Sequence, residues 1–205
     1  MKLKDKPMRI IGVTGGVGSG KTALLGRISK LYNCKVISAD EVAHLLKEPD
    51  GACYQSIIDL LGQRVLDEEN RINRAEMAKI IFADESLLEK VNSIIHPAVK
   101  EYIEAEITIL KEKNQIELLF IEAALLIEDG YDKIVDELWY IYADELTRQN
   151  RLQEKRGYPV KKARQIIKSQ LSDSEFRAKC KVVIDNSLDL ETAIKQVEDY
   201  LNQLR

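Results

Sequence analysis

Short apolar, β-branched runs alternate along the chain with longer segments in which apolar residues recur at helical spacing. The short runs predict β-strands, and the periodic segments predict amphipathic helices. Five strands are predicted, at Arg9–Thr14, Lys35–Ser38, Glu117–Ala123, Glu137–Tyr142 and Lys181–Ile184. Because helical patterns separate them in the order β-α-β-α-β-α-β-α-β, we expect a five-stranded parallel sheet between two helical layers, a three-layer α/β/α fold.

The interval between the second and third predicted strands is too long for one crossover helix. It contains helical patterns near Asp40–Leu46, Gly51–Leu61, Arg74–Ala83 and Asp84–Lys113. A later helix–turn–helix consists of Asp144–Lys155, the turn Arg156-Gly157-Tyr158-Pro159 and Val160–Leu171, before a closing helix at Leu190–Leu204. We therefore expect one domain, 8–205, with a core at about 8–39, 114–143 and 172–205, a helical substrate-binding insertion at 40–113, a mobile lid at 144–171 and a polar leader at 1–7.

The bulk composition narrows the class of protein. The 205 residues carry a net charge of −3, so no basic excess indicates nucleic acid or an anionic membrane as a partner. No apolar run approaches the roughly 20 residues of a membrane span. Three widely spaced cysteines without a C-x-x-C pair favour a reducing compartment over a disulfide framework. We expect a cytoplasmic protein.

The segment Gly15–Thr22 is a complete G-x-x-x-x-G-K-[ST] loop between the first predicted strand and a helix-like stretch. In that context the loop binds the phosphates of a nucleotide. The loop residues expected around the phosphates are Gly16, Val17, Gly18, Ser19 and Gly20. Lys21 is expected to reach the β- and γ-phosphates, and the Thr22 hydroxyl to ligate Mg²⁺. The chain is therefore predicted to bind a nucleotide.

Acidic residues follow two predicted strands. Asp40 lies two residues beyond the second strand, where it is expected to accept a proton from an attacking hydroxyl or to help hold Mg²⁺. The alternative for Asp40 is an N-cap of the following helix. Glu122 and Glu128 flank the apolar stretch after the third strand, and Glu122 is either a group near the metal or an alternating strand residue.

Basic residues cluster in the predicted lid. Arg148, Arg151 and Lys155 share one helix face, with Arg156 and Arg164 nearby. We favour a lid that closes over a polyphosphate, and the alternative is a solvated basic face. The two histidines, His44 and His96, are interpreted as structural residues or as hydrogen-bond donors to a ligand.

Together these segments resemble the dephospho-coenzyme A kinase family, in the nucleoside monophosphate kinase-like group of P-loop kinases. The resemblance extends from Met8 to about the C-terminus and rests on the order and spacing of several motifs. They are Ile11–Thr22, Ser38-Ala39-Asp40 with His44, Ile72-Asn73-Arg74, Val91-Asn92-x-x-x-His96-Pro97, Leu125-Leu126-x-Glu128, Arg151-Leu152-x-x-x-Arg156 and Val183–Ser187.

The resemblance implies ATP- and Mg²⁺-dependent phosphorylation of the ribose 3′-hydroxyl of dephospho-CoA, the last step of coenzyme A synthesis. Asp40 matches the family's proposed catalytic base, and Lys21 matches its loop lysine. The remaining matches are Arg148 and Arg151 at lid positions for phosphate contacts, His44, Asn73, Arg74 and His96 in acceptor-binding stretches, and Asn186 in the adenine-side turn. The expected partners are ATP and dephospho-CoA, and the expected state is a monomer or a small homo-oligomer.

Three alternatives remain at this stage. The first is another small-molecule or nucleoside monophosphate kinase of the same architecture. The second is a nucleotide-dependent switch, but the N-K-x-D stretch typical of such proteins is replaced by Ile184-Asp185-Asn186-Ser187. The third is a scaffold that binds CoA species without turnover, against which the presence of Lys21, Thr22 and Asp40 argues.

Overall fold

The computed structural model describes residues 7–123 and 125–204, so most of the predicted leader at 1–7 lies outside the described residues. Its strands are β1 (Arg9–Thr14), β2 (Cys34–Ser38), β3 (Leu118–Glu122), β4 (Glu137–Tyr142) and β5 (Val182–Asp185). They form one sheet in the order β2-β3-β1-β4-β5, with β1 parallel to β3 and β4, and β4 parallel to β5. The predicted five-stranded parallel sheet and three-layer α/β class are confirmed.

The helices of the described residues are α1 (Lys21–Leu31), α2 (Ala39–Leu45), α3 (Tyr54–Leu61), α4 (Arg74–Ala83), α5 (Glu85–Lys113), α6 (Glu145–Arg156), α7 (Val160–Lys168), α8 (Asp173–Lys179) and α9 (Leu190–Gln203). The residues group into two compact units. The helical unit is Ser38–Lys113, and the sheet unit is the remainder of the described chain.

Two sequence predictions about the elements are wrong. The predicted helix between β3 and β4 is absent from the described part of that connection, which consists of turns and a short 3₁₀ helix, Tyr131–Lys133. The predicted helix Val160–Leu171 ends at Lys168, and the separate helix α8 follows it. Ser172 and Glu175 form a capping box at the start of α8, which gives that helix a beginning of its own.

The core of the sheet unit lies between the sheet and helices α1 and α9. Apolar side chains of β1 and β4 pack there against α1 and α9. The buried rings of Phe120 and Trp139 meet edge to face with centroids 5.6 Å apart. Because most β1 side chains are buried, this strand appears in the sequence as a continuous apolar run.

Glu137, the first residue of β4, is a buried carboxylate. Its oxygens accept hydrogen bonds from Trp139 Nε1 at 3.0 Å, Tyr200 OH at 2.8 Å and Lys181 Nζ at 3.2 Å. Burial by itself would raise the pKa of Glu137, but the hydrogen bonds outweigh it and hold the pKa below its ordinary value of 4.5. The carboxylate therefore ties the start of β4 to α9 and to the residue before β5.

The helical unit is organised on the long helix α5. Its buried residues recur every four positions along one face, at Val91, Ile95, Val99, Ile103 and Ile107. Helices α2, α3 and α4 contact α5. This spacing is that of an amphipathic helix with one face in the core.

Candidate active site

The glycine-rich loop connects β1 directly to α1, as the motif predicted. Gly20 precedes the first residue of α1 and has φ +90° and ψ +19°, a left-handed conformation that favours glycine. A Cβ at Gly20 would overlap with Nδ2 of Asn186, and a Cβ at Gly15 would overlap with the carbonyl oxygen of Ile141. The loop is therefore packed tightly against β4 and the residue that follows β5. It ends at the N-terminus of a helix, where anions bind.

Lys21 and Thr22 extend from the first turn of α1. Lys21 Nζ donates a hydrogen bond to Gly15 O at 2.7 Å, so the lysine side chain turns back over the loop. Thr22 Oγ1 donates to Glu122 Oε1 at 3.4 Å. The structure thus brings together Thr22 and Glu122. From the sequence, Thr22 is predicted as a Mg²⁺ ligand and Glu122 as a candidate group near the metal.

These two oxygens fit the chemistry of Mg²⁺. The ion prefers oxygen ligands and is usually held by one or two protein groups together with substrate phosphates and waters. In the described part of the chain, no cluster of three or more His, Cys, Asp or Glu side chains could hold a metal ion. Thr22 and Glu122 therefore suit an ion that would arrive with a polyphosphate.

Arg148 of α6 is almost buried, at 8% exposure, and contacts the loop backbone. Its Nε donates to Val17 O at 2.9 Å, and its Nη2 donates to Oε1 of Gln170 at 2.7 Å. Burial lowers the pKa of Arg148, but an arginine remains charged at neutral pH. The guanidinium lies so close to Gly16 that a Cβ there would overlap with it.

Arg151, one turn later, contacts the end of the same loop. Its Nη1 donates to Ser19 O at 3.2 Å, and its Nη2 donates to Asn186 O at 2.8 Å. Nδ2 of the buried Asn186 also donates to Ser19 O, at 2.7 Å. Arg151 and Asn186 thus both hold the Ser19–Gly20 peptide. The role of Asn186 near adenine stays a prediction.

The other basic residues of the predicted lid face outward. Lys155, Arg156 and Arg164 are exposed, as a solvated basic face would be. Helices α6 and α7 pack on each other through a small cluster of buried residues, Leu152, Ala163 and Ile167. Gly157 ends α6 in a left-handed conformation, so the predicted turn is observed.

Asp40 belongs to the helical unit and is exposed in the first turn of α2. Because α2 begins at Ala39 with Ser38 as its N-cap residue, the interpretation of Asp40 as an N-cap is wrong. Burial, and next the charges of Lys47 and Arg74, lower the pKa of His44, which favours the neutral form of its side chain. Burial and Arg74 also lower the pKa of Lys47.

The remaining acceptor-side candidates occupy α4 and α5. Asn73 is the N-cap of α4, and its Oδ1 accepts hydrogen bonds from the amides of Ala75 at 3.0 Å and Glu76 at 3.2 Å. Arg74 is exposed, and His96 is partly exposed on α5. Asn73 therefore has a structural role, whereas its contact with a substrate stays a prediction.

Sequence reasoning missed Lys47 and Gln170. Lys47 has no motif around it, and its half-buried position among His44, Arg74 and Cys53 follows from tertiary packing. Oε1 of Gln170 accepts a hydrogen bond from Val17 N at 2.8 Å, which no pattern in the sequence indicates. Gln170 and Glu128 also line one pocket in the sheet unit.

Two general features complete the description. Cys34, Cys53 and Cys180 are free thiols. Of the helices that the structure describes, none has both the length and the apolar character needed to cross a membrane.

Comparison with known proteins identifies the family. The family described as dephospho-CoA kinase matches residues 9–192. A dephospho-CoA kinase of Streptococcus pyogenes serotype M3 is 34% identical over 195 residues, covering 95% of this chain and 98% of that protein. A dephospho-CoA kinase of Fusobacterium nucleatum is 35% identical over 191 residues, covering 93% of this chain and 96% of that protein. The solved dephospho-CoA kinase from Campylobacter jejuni shares the fold, with a TM-score of 0.70 at 22% identity over 96% of this chain and 98% of that one. The chain belongs to the dephospho-CoA kinase family.

Proposed function

We propose that this protein transfers the γ-phosphoryl group of ATP to the ribose 3′-hydroxyl of dephospho-CoA, yielding coenzyme A and ADP. The observation that carries the proposal is the complete phosphate loop between β1 and α1, with Lys21 and Thr22 in the first helical turn, in a chain of this family. The alternative of another kinase with the same architecture is not favoured by the relatives.

The loop is proposed to hold the donor. The backbone amides at the N-terminus of α1, those of Gly20, Lys21 and Thr22, are proposed to bind the phosphates, and Lys21 adds a positive charge. Thr22 and Glu122 would hold Mg²⁺ on the side of α1 that faces β3. When bound, this ion neutralises charge on the phosphate oxygens.

Asp40 is proposed as the base. It accepts the proton of the 3′-hydroxyl as that oxygen forms a bond to the γ-phosphorus and the bond to the bridging oxygen of ADP breaks. Its exposure and its freedom from a capping role support this assignment. Arg151 is proposed to add positive charge beside the loop as negative charge shifts to the bridging oxygen.

The helical unit is proposed to bind the acceptor. Lys47 and Arg74 lie close enough to His44 to lower its pKa, and Arg74 also lowers the pKa of Lys47. The two cations, Lys47 and Arg74, are proposed to face the diphosphate of dephospho-CoA. A neutral His44 could donate a hydrogen bond without adding charge, and His96 remains a further candidate. A cytoplasmic location, a monomeric or small oligomeric state and the lack of a nucleic-acid partner stay predictions.

The first experiment measures ADP release with dephospho-CoA against a panel of nucleosides, nucleoside monophosphates and shikimate. Of these acceptors, we expect only dephospho-CoA to support turnover. Turnover with a different acceptor would contradict the proposed substrate.

The second experiment compares Asp40→Asn with Asp50→Asn, since Asp50 is also an exposed aspartate of the helical unit. Asp40→Asn should bind ATP normally and lose about 10²–10⁴-fold in turnover. Turnover near that of the Asp50→Asn control would exclude Asp40 as the base.

A further inference from the structure

Val17, in the middle of the phosphate loop, is contacted through its amide, its carbonyl and its side chain by α6, α7 and the turn after α7. Its amide donates to Gln170 Oε1 at 2.8 Å, and its carbonyl accepts from Arg148 Nε at 2.9 Å. Its side chain packs against the apolar cluster between α6 and α7. Both backbone groups and the side chain of one loop residue are thus bound by α6, α7 and the turn after α7.

Gln170 completes this arrangement because one oxygen serves two donors. Its Oε1 accepts from Arg148 Nη2 at 2.7 Å as well as from Val17 N. Arg148 is only 8% exposed, so the loss of this acceptor would leave a charged donor poorly solvated. We name this ring of three hydrogen bonds among Val17, Arg148 and Gln170 the loop clamp.

The clamp acts on the part of the loop where backbone and arginine approach most closely. The guanidinium of Arg148 lies against Gly16, in space that a Cβ would occupy. Without Gln170, Arg148 would keep one hydrogen bond to the loop, at Nε, and could rotate about it. The Gly16–Val17 peptide would then lose its defined orientation.

We propose that Gln170 is a positioning residue for phosphoryl transfer, which acts through Arg148 and Val17 to keep the phosphate loop in the shape that binds a polyphosphate. A loop already held in its binding conformation loses less conformational freedom when the ligand binds. This inference deepens the proposed function and rests on it. The clamp also makes the loop depend on the packing of α6 and α7.

The test measures ADP affinity by titration calorimetry in the presence of Mg²⁺. Gln170→Met keeps the length of the side chain but removes the acceptor, and it should weaken ADP binding about tenfold. Gln170→Glu keeps an oxygen that can accept from both donors, so its affinity should stay within about twofold of the unaltered protein. The matched control is Gln165→Ala, an exposed glutamine of α7, with unchanged affinity.

Kinetics separate a positioning role from a merely structural one. In Gln170→Met the KM for ATP should rise while the KM for dephospho-CoA stays constant, whereas general destabilisation would alter both or neither. If Gln170→Met fails to fold, Arg148→Lys replaces it, because lysine keeps the charge but its single nitrogen cannot reproduce both the Nε and the Nη2 hydrogen bonds. We expect about a tenfold loss of ADP affinity there as well.

Three results would overturn the proposal. They are unchanged ADP affinity in Gln170→Met, unchanged affinity in Arg148→Lys, or a Gln170→Glu variant as weak as Gln170→Met. ADP binds without any phosphoryl-acceptor substrate, so these outcomes do not depend on which alcohol the enzyme phosphorylates. Failure to phosphorylate dephospho-CoA would contradict the proposed function and leave the clamp measurement valid.

Discussion

The sharpest test of the phosphate loop is Gly20→Ala, because two separate costs can be assigned to one added methyl group. An L-residue in the left-handed conformation of Gly20 costs about 1–2 kcal/mol. The new Cβ would also overlap with Asn186 Nδ2, whose buried hydrogen bond to Ser19 O at 2.7 Å would break. An unsatisfied buried partner adds about 1–3 kcal/mol. The total is about 2–5 kcal/mol.

This energy must appear in one of two measurable quantities. If the loop keeps its shape, the free energy of unfolding falls by about 2–5 kcal/mol. If the loop relaxes instead, ADP affinity falls, by roughly 30-fold at the lower end of that range. Denaturant unfolding and ADP titration, performed on the same variant, together recover the sum.

Two further variants make the test specific. Gly26→Ala is the matched control, because Gly26 lies exposed inside α1 with nothing within 4 Å of an added Cβ. It should gain about 0.5–1 kcal/mol of stability, as expected for alanine in place of a helical glycine. In Gly20→Ala/Asn186→Ala the overlap disappears, so the combined loss should be smaller than the sum of the single losses.

The reasoning would be refuted if Gly20→Ala changed neither stability nor ADP affinity beyond the Gly26→Ala control. Strict additivity in the double variant would show that contact with Asn186 is not the source of the cost. A left-handed strain alone would then have to account for the whole loss.

Three other predictions concern stability and the metal. Glu137 has a lowered pKa in the folded chain, so its negative charge stabilises the protein above about pH 4.5, and this stabilisation is lost as the pH falls through the lowered pKa. Thermal unfolding measured from pH 7 to pH 3 should show this loss of stability. The Glu137→Gln variant should not show the part of the loss that comes from this carboxylate. Ser172→Ala removes the capping box of α8 and should lower the free energy of unfolding by about 1 kcal/mol, whereas Ser172→Thr should keep most of it. Thr22→Val should abolish the strengthening of ADP binding by Mg²⁺ while Thr22→Ser preserves it, and equal Mg²⁺ dependence in both variants would exclude the hydroxyl as a ligand.

Local patterns were sufficient to predict most elements. The bounds of β1 and β4 agree with those predicted, because each contains a continuous apolar run that follows a charged first residue. The long helix α5 begins one residue later than predicted and ends at the predicted Lys113, because its buried residues repeat regularly. In such segments the periodicity of burial is written directly into the sequence.

The errors have identifiable physical reasons. The apolar residues between β3 and β4 predict a helix, but the buried Leu126 lies in a turn and the buried Tyr131 begins a short 3₁₀ helix. A short apolar run does not distinguish these structures from an α-helix. Helix α8 was missed although Ser172 and Glu175 have the spacing of a capping box. That signal was present in the chain, and the missed helix is therefore an error of interpretation.

The sequence by itself determined that this chain has a phosphate loop in a parallel α/β sheet, because the glycine motif and the hydrophobic periodicity are local properties. Only the tertiary structure decided the strand order and the partners of the loop. Gln170 reaches Val17 across 153 positions, and Glu122 reaches Thr22 across 100. Contacts at such separations depend on how the strands are ordered and how the connecting segments pack over them. No local pattern encodes that packing.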